Sequence, residues 1–407
     1  MPKHKLSIAY NAILQGNNQM KKCVVALAVL ASISGPAMAQ SFDARSDAMG
    51  GVGVASAHYG SAAPVNPALV AKYGADDDFS VVLPSVGAQV SDKDKLIDGI
   101  DAIKDSYDAF RAAGDSASAD KLRTDLQAVD GKTATANVGV NAQIVIPNQL
   151  VSVGFMANGY ASALVGTDVA QSDLDYLEGV GNGSIIADPS RVLDSQAVGV
   201  VALVQDYGIA MAHKFDVQGM PLYVGVTPKA QKVDTYNYSA TVTDYDRSDL
   251  RDDKYRNSSS GFNADFGLAL DAGGMTYGLA VRDLVSRDIQ TKDVGGKVYT
   301  YQISPIATVA AAYRGEWLTA AVDLDVNKTK GWEGQKQSQY AGVGVEFDAA
   351  RWAQLRAGVR ADLTGDQPDL FTAGFGLSPW DVLHLDLAGQ IGSDKAVGAM
   401  VTMRYTF

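Results

Sequence analysis

Four histidines, a single cysteine and an excess of acidic over basic residues bound the chemistry open to this chain. His384 and Asp386 stand two residues apart, which puts both side chains on one face of a strand and could pair a base with the carboxylate that orients it. No serine partner is evident, and the pair falls near a strand end, so no enzymatic activity is expected. Asp244, Asp246, Asp249, Asp252 and Asp253 crowd one segment together with Arg247, Arg251 and Lys254. That segment lacks the glycine and the terminal glutamate of an EF-hand, so a solvated charged loop is expected, with no metal and no cofactor. A third set mixes both signs: Lys229, Asp265, Arg282, Asp323, Asp325, Glu346, Arg356, Arg360, Asp362, Asp386 and Arg404. On the inner face of a barrel these residues would either line a polar conduit or pair to stiffen the lumen and hold a plug. Pairing is the favoured reading, because isolated buried charges are costly.

The elements that must position these residues begin after a leader. Met20-Lys21-Lys22 forms a basic start, Cys23 to Ser34 a short apolar run, and Gly35-Pro36 a break before Ala37-Met38-Ala39. This pattern predicts a secretory signal peptide over residues 1–39, with an N-terminal extension before Met20 and cleavage before Gln40. Cys23 opens the apolar run instead of following it, which excludes a lipoprotein. Removing Lys3, Lys5, Lys21 and Lys22 takes the net charge from −12 to −16 and leaves no cysteine. Such a chain has no thiol chemistry and repels nucleic acid.

No other segment is apolar for long enough to form a membrane helix. From Phe79 onward, however, the chain alternates with a period of two. In the last segment Val397, Ala399, Val401, Met403, Tyr405 and Phe407 oppose Gly398, Met400, Thr402, Arg404 and Thr406. Leu355, Ala357, Val359, Ala361 and Leu363 oppose Arg356, Gly358, Arg360 and Asp362 in the same way. Fourteen strands are predicted, at 79–90, 133–146, 150–164, 195–215, 220–243, 260–271, 274–290, 297–313, 316–329, 337–348, 354–364, 369–378, 382–391 and 396–407. An even count, with short turns alternating with longer loops at 91–132, 165–194 and 244–259, predicts an all-β, antiparallel transmembrane barrel over residues 79–407 with both termini periplasmic. Trp317, Trp352 and Trp380 sit at short turns, where an aromatic girdle would meet the headgroups.

Residues 93–128 break the alternation. Leu96, Ile97, Ile100, Ile103, Tyr107 and Phe110 recur at helical spacing, and Leu122 and Leu126 follow a Gly114-Asp115-Ser116 break. A helical hairpin over the barrel mouth is predicted in the first extracellular loop. It would act as a packing cap or as a landing groove for amphiphiles, and the cap is favoured.

Residues 40–78 do not read as strands. Met49-Gly50-Gly51-Val52-Gly53 is small and irregular, and Asn66-Pro67-Ala68-Leu69 precedes the first strand, which suits either a loose tail or a plug. With the strand count and the terminal Phe407, these features resemble the FadL-type family of outer-membrane transporters for long-chain fatty acids and other hydrophobic compounds. The resemblance implies that residues 40–78 are a periplasmic-side hatch, with Asn66, Pro67 and Ala68 as its motif, and that substrate leaves sideways through a kinked strand. Val224-Gly225-Val226-Thr227-Pro228-Lys229 and the helical insert are similar to the subgroup labelled conjugal transfer TraF-like. The expected function is transport of hydrophobic small molecules by a monomer among membrane lipid and lipopolysaccharide of a Gram-negative bacterium. The alternative is a non-transporting structural or assembly protein linked to conjugation.

Overall fold

The computed structural model describes residues 42–92, 95–188, 190–241, 253–335, 337–393 and 395–407. The predicted signal peptide lies outside the described residues, and so does the acidic loop except for Asp253 and Lys254.

Fourteen antiparallel strands close into a barrel. They are β1 (Ser80–Ser91), β2 (Thr133–Ile146), β3 (Ser152–Asp168), β4 (Gln196–Val217), β5 (Met220–Thr241), β6 (Arg256–Ala272), β7 (Met275–Arg282), β10 (Ile306–Arg314), β11 (Leu318–Asp325), β12 (Tyr340–Ala350), β13 (Ala353–Asp362), β14 (Leu370–Leu377), β15 (Leu383–Gly392) and β16 (Val397–Thr406). Closure is made where β1 pairs with both β2 and β16, and Phe407 exchanges backbone hydrogen bonds with Phe79 beneath two stacked rings. A closed sheet leaves no unpaired edge, as hydrocarbon requires. No helix among the described residues is long and apolar enough to cross a membrane.

The alternation sorts as expected. Phe155, Ile209, Val322, Val343, Leu355, Phe371 and Val401 stand exposed on the outside, while Lys229, Asp265, Asp325, Glu346, Arg356, Arg360, Asp362, Asp386 and Arg404 are buried and Arg282 and Asp323 half-buried. A belt of exposed apolar side chains this extensive is a lipid-facing surface. Trp317, Trp352 and Trp380 are exposed at the rim that also carries Phe407.

The wall is uneven in height. β4 and β5 each run 22 residues, about 70 Å at the rise of a strand, whereas β7, β11 and β14 each have 8. Two predicted strands, 274–290 and 297–313, are each split. β7 stops at Arg282, Asp283 turns with φ +54°, and the chain enters the lumen as a two-stranded ribbon of β8 (Arg287–Gln290) and β9 (Thr300–Ile303). Ile289, Tyr301 and Ile303 bury against Val200, Val204 and Val233 on the inner face of the tall wall. Alternation alone did not separate the two, because a ribbon inside the barrel alternates as the wall does.

The helices Leu96–Ala113 and Ser116–Val129 meet at Gly114, whose φ of +60° ends the first, while Asp115 caps the second. A third helix, Gln171–Gly181, falls in the predicted loop 165–194 and completes their core with Tyr176, Leu177 and Val180. That core includes Ala134 and Val165, on the faces of β2 and β3 opposite the lumen-lining Thr135 and Leu164. The helices therefore lean on the outer wall at the long-loop rim, which corrects the expectation of a hairpin over the mouth. Ile97, expected on the packed face, is exposed.

Candidate functional site: a hatch within the lumen

Residues 42–71 fill the lumen and are almost wholly buried. Small side chains allow this, because the backbone can approach the inner wall closely. A Cβ at Gly358 would lie 2.2 Å from the Met49 carbonyl carbon, and one at Gly267 would lie 2.0 Å from Asn66 Oδ1. Alternation places Gly358 on an inward face, and the role of both glycines as seats appears only with the segment docked.

The first hatch element is the helix Ala44–Ala48. Asp43 caps it by accepting from the Ser46 amide at 3.0 Å, and Thr402 Oγ1 accepts from the Ala44 amide at 2.9 Å. Arg45 projects from this helix and donates through two nitrogens to Glu346, at 2.7 and 2.8 Å. Arg356 donates to the same carboxylate at 2.6 Å and to Asp386 at 2.6 Å. Two guanidiniums and two carboxylates thus form a balanced chain from hatch to wall, with every side chain under a tenth exposed. Bidentate pairing of this kind fixes geometry as well as charge. Glu346, Arg356 and Asp386 were expected in the lumen. Arg45 was missed, though a lone cation amid small residues was its signal.

Further contacts ring the hatch. Asp323 Oδ2 accepts from the Gly53 and Val54 amides at 2.8 and 2.9 Å. Thr372 Oγ1 accepts from the Gly50 amide, Gln390 donates to Asp47, and Ser85 donates to the Phe42 carbonyl. Asn66 has a double role. Its carbonyl oxygen accepts from the Ala68 amide to start the 3₁₀ turn Pro67–Ala71, and its amide donates to the Val54 and Leu268 carbonyls at 2.7 and 3.1 Å. Pro67 suits the first position of that turn, where no amide hydrogen is needed. Lys72 donates to Asp271 at 2.5 Å.

Two hatch groups have displaced protonation. Burial pushes the Asp47 carboxyl up to about 6, against the pull of Arg360. Burial, then the positive charge of Arg404, holds His58 well below the ordinary imidazole range, and its Nδ1 accepts from the Gly60 amide. His384 lies 6.3 Å from His58 between ring centres, while Asp386 is bonded to Arg356. The carboxylate that the spacing offered as an orienter is thus engaged by a guanidinium.

The remaining predicted charges divide into groups. Lys229 reaches Asp206, Asp265 and Asp283 at 3.2, 2.9 and 2.8 Å, all four nearly buried. Asp206 and Asp283 had not been singled out, although Asp206 sits on the inner alternation of β4. Asp325 accepts from Thr308 and from the Tyr340 amide. Arg360 lies over the Tyr340 ring at 4.7 Å, and Arg282 shares a polar cavity with Asp323, Asp325 and Arg360. Asp362 spends its oxygens on Gln339, Thr364, Asp366 and Gln367 and so organises the rim. Arg404 is buried at the short-turn end, beside Gly60 of the hatch. Among the described residues no group of three or more His, Cys, Asp or Glu is arranged to hold a metal ion.

Solved structures share this architecture. The toluene transporter TbuX of Ralstonia pickettii aligns with a TM-score of 0.54 at 13% identity, covering 90% of this chain and 99% of its own. The toluene transporter TodX of P. putida gives 0.51 at 11% identity, over 91% and 99%. A Pseudomonas aeruginosa FadL homologue gives 0.51 at 10% identity, over 92% and 99%. At such identities the likeness establishes the fold. No curated protein sequence matches significantly. The model of one family, described as "F plasmid transfer operon, TraF, protein", matches residues 63–325, more than half of the chain, and the chain belongs to that family.

Proposed function

We propose that this barrel is an outer-membrane transporter of hydrophobic compounds and that residues 40–78 are its movable hatch. The observation that carries the reading is the way the lumen is filled. The hatch is held by side-chain hydrogen bonds and ion pairs to many strands, and it contributes no strand to the barrel. Such contacts can be exchanged for others without breaking the wall, so transport needs only a shift of the hatch. The solved structures that share the fold are named as toluene transporters and a FadL homologue, which supports a hydrophobic substrate. Long-chain fatty acids are the finer proposal. Asn66, Pro67 and Ala68 act as the hatch's anchoring turn, and the ion pairs act as its latch.

The short-turn rim, with Trp317, Trp352, Trp380 and Phe407, would face the periplasm, and the N-terminal end of the mature chain would lie on the same side of the membrane. The helices would face outward among lipopolysaccharide, and the barrel would work as a monomer. The test is binding and liposome uptake of labelled palmitate and toluene by the purified protein, with and without residues 41–70. Uptake and binding that respond to the deletion carry the proposal; indifference to it removes the transport role. Labelling of a cysteine placed at Gly183 in intact cells checks the orientation.

A second reading, assembly or structural work in conjugation, is favoured by the family match and by the dense ion-paired filling of the lumen. Reduced mating in a deletion strain, with a partner captured through residues 95–130, would support it. Normal mating would count against it.

A further inference from the structure

Beneath the hatch, at the short-turn end, a cavity of about 590 Å³ including its open mouth is lined by Ser56, Lys72, Asp77, Thr276, Arg314 and Thr319, among others. Two of its charged side chains are engaged. Lys72 donates to Asp271 and Thr276, and Asp77 accepts from the Gly74 amide. Arg314, at the foot of β10, is different. It is exposed to the cavity and donates through one nitrogen to the Ser56 carbonyl at 3.2 Å, and among the described residues no carboxylate forms an ion pair with it. The same Ser56 carbonyl accepts from Arg45 at 2.7 Å. Two guanidiniums thus converge on one oxygen of the hatch, an arrangement that like-charge repulsion opposes.

The strand register gives this placement a use. Arg314 of β10 stands opposite Thr319 of β11, Thr319 opposite Glu346 of β12, and Glu346 opposite Arg356 of β13. Arg314 and Glu346 are therefore two strand spacings apart, about 10 Å between backbones. An arginine and a glutamate side chain together span that gap, and the residue between them is the short Thr319. With the hatch docked, Arg45 holds Glu346 instead.

We infer that Arg314 is the alternative counter-ion of Glu346 and takes the place of Arg45 when the hatch withdraws. This inference rests on the movable hatch proposed above. The charges balance in both states. Docked, the chain is Arg45–Glu346–Arg356–Asp386. Withdrawn, it becomes Arg314–Glu346–Arg356–Asp386, again two guanidiniums and two carboxylates, now all on the wall. Ser56 leaves with the hatch, so Arg314 is released at the moment Glu346 loses its bidentate partner. Other carboxylates compete less well. Asp271 keeps hydroxyl donors from Thr276 and Tyr223, and Asp348, two positions nearer the rim, is only half-buried, where water weakens pairing. The exchange lowers the cost of opening, which would otherwise include a buried carboxylate left short of a partner.

The test follows protease cleavage within residues 42–78 of the full-length barrel in detergent, comparing the unaltered protein with Arg314→Met. Heat-modifiable gel mobility confirms that each variant is folded. A mere contact of the docked hatch would, on losing its bond to Ser56, let cleavage run faster. Exchange requires the opposite sign, because the open state loses its counter-ion and the docked state loses a repulsion. Cleavage should slow about tenfold, the weight of one charge-assisted hydrogen bond. Arg314→Lys keeps the charge and should cleave nearly as the unaltered protein does. Added to Glu346→Gln, Arg314→Met should slow cleavage far less, since the carboxylate to be taken over is gone. Faster or unchanged cleavage in Arg314→Met overturns the inference, and so does slowing that persists in full beside Glu346→Gln. If the unaltered hatch is cleaved only as fast as the whole barrel unfolds, the movable hatch fails and this inference with it. If the unaltered hatch opens and Arg314→Met opens as readily, this inference alone fails.

Discussion

Two buried charge clusters in this barrel are built on opposite arithmetic. The latch between hatch and wall, Arg45–Glu346–Arg356–Asp386, matches two guanidiniums with two carboxylates. The cluster in the tall wall sets three carboxylates, Asp206, Asp265 and Asp283, around the single ammonium of Lys229. A balanced chain is stable only when complete, because each member satisfies another and removing one strands a charge. The wall cluster carries an excess of negative charge, so its lysine is indispensable and each carboxylate is less so. It also sits where β7 ends and the chain turns inward. The Asp283 amide donates to Asp265 at 2.8 Å, and Gln231 donates to the Asp283 carboxylate at 3.0 Å. The first cluster fastens the N-terminal segment to the barrel, and the second fastens the point where the wall itself changes direction.

The largest effect should come from Glu346→Ala, which strands Arg45 and leaves Arg356 with Asp386 alone. Undocking of the hatch by about 3–5 kcal/mol is expected. Faster proteolysis of residues 42–78 and larger single-channel conductance would show it, and unchanged protection would break the idea of a latch. Lys229→Met should cost a similar amount, but in the wall. Its signature is a lower unfolding midpoint in urea with the hatch still protected. The sharper contrast is Asp206→Asn, expected to change stability by less than about 1 kcal/mol or to raise it, since it relieves like-charge repulsion. A loss as large as that of Glu346→Ala would erase the difference between the clusters.

Asn66→Ala should loosen the hatch by about 1–2 kcal/mol through loss of its turn cap and two donated bonds. Hydrogen exchange at the Ala68 amide would report it, with the amides of the wall strands unaffected. The smallest effect is one of pH. Asp47 is raised in the docked hatch to about 6 from an ordinary carboxyl value, so the docked state holds an extra proton between roughly pH 4 and 6. Its contribution to docking is full at the acid end and is lost as pH rises through about 6. Conductance should therefore rise a few-fold between about pH 4.5 and 7.5, and Asp47→Asn should flatten the change.

Much of this architecture was legible in the sequence, because a membrane barrel repeats one constraint along its whole length. Lipid outside and a polar lumen inside impose a period of two on every strand. Fourteen crossings, the inward charges from Lys229 to Arg404 and the exposed tryptophans follow from it. Period alone determines which face a residue takes, not whether its strand belongs to the wall. The ribbon β8–β9 therefore merged with its neighbours, and the helices, whose apolar stripe was plain, were placed over the mouth instead of against Ala134 and Val165.

What the sequence determined by itself was thus each local choice: strand or helix, inward or outward, and the small-residue character of residues 42–71. Only the tertiary structure decided the partners. Arg45 and Glu346 are 301 positions apart, Asp47 and Gln390 are 343 apart, and Trp332 meets Tyr301 only because the ribbon turns inward. Periodicity is set by residues within a turn or two of one another. Ion pairs and glycine seats are set by which distant segments the closed barrel brings within a few ångströms, and no local pattern encodes that distance.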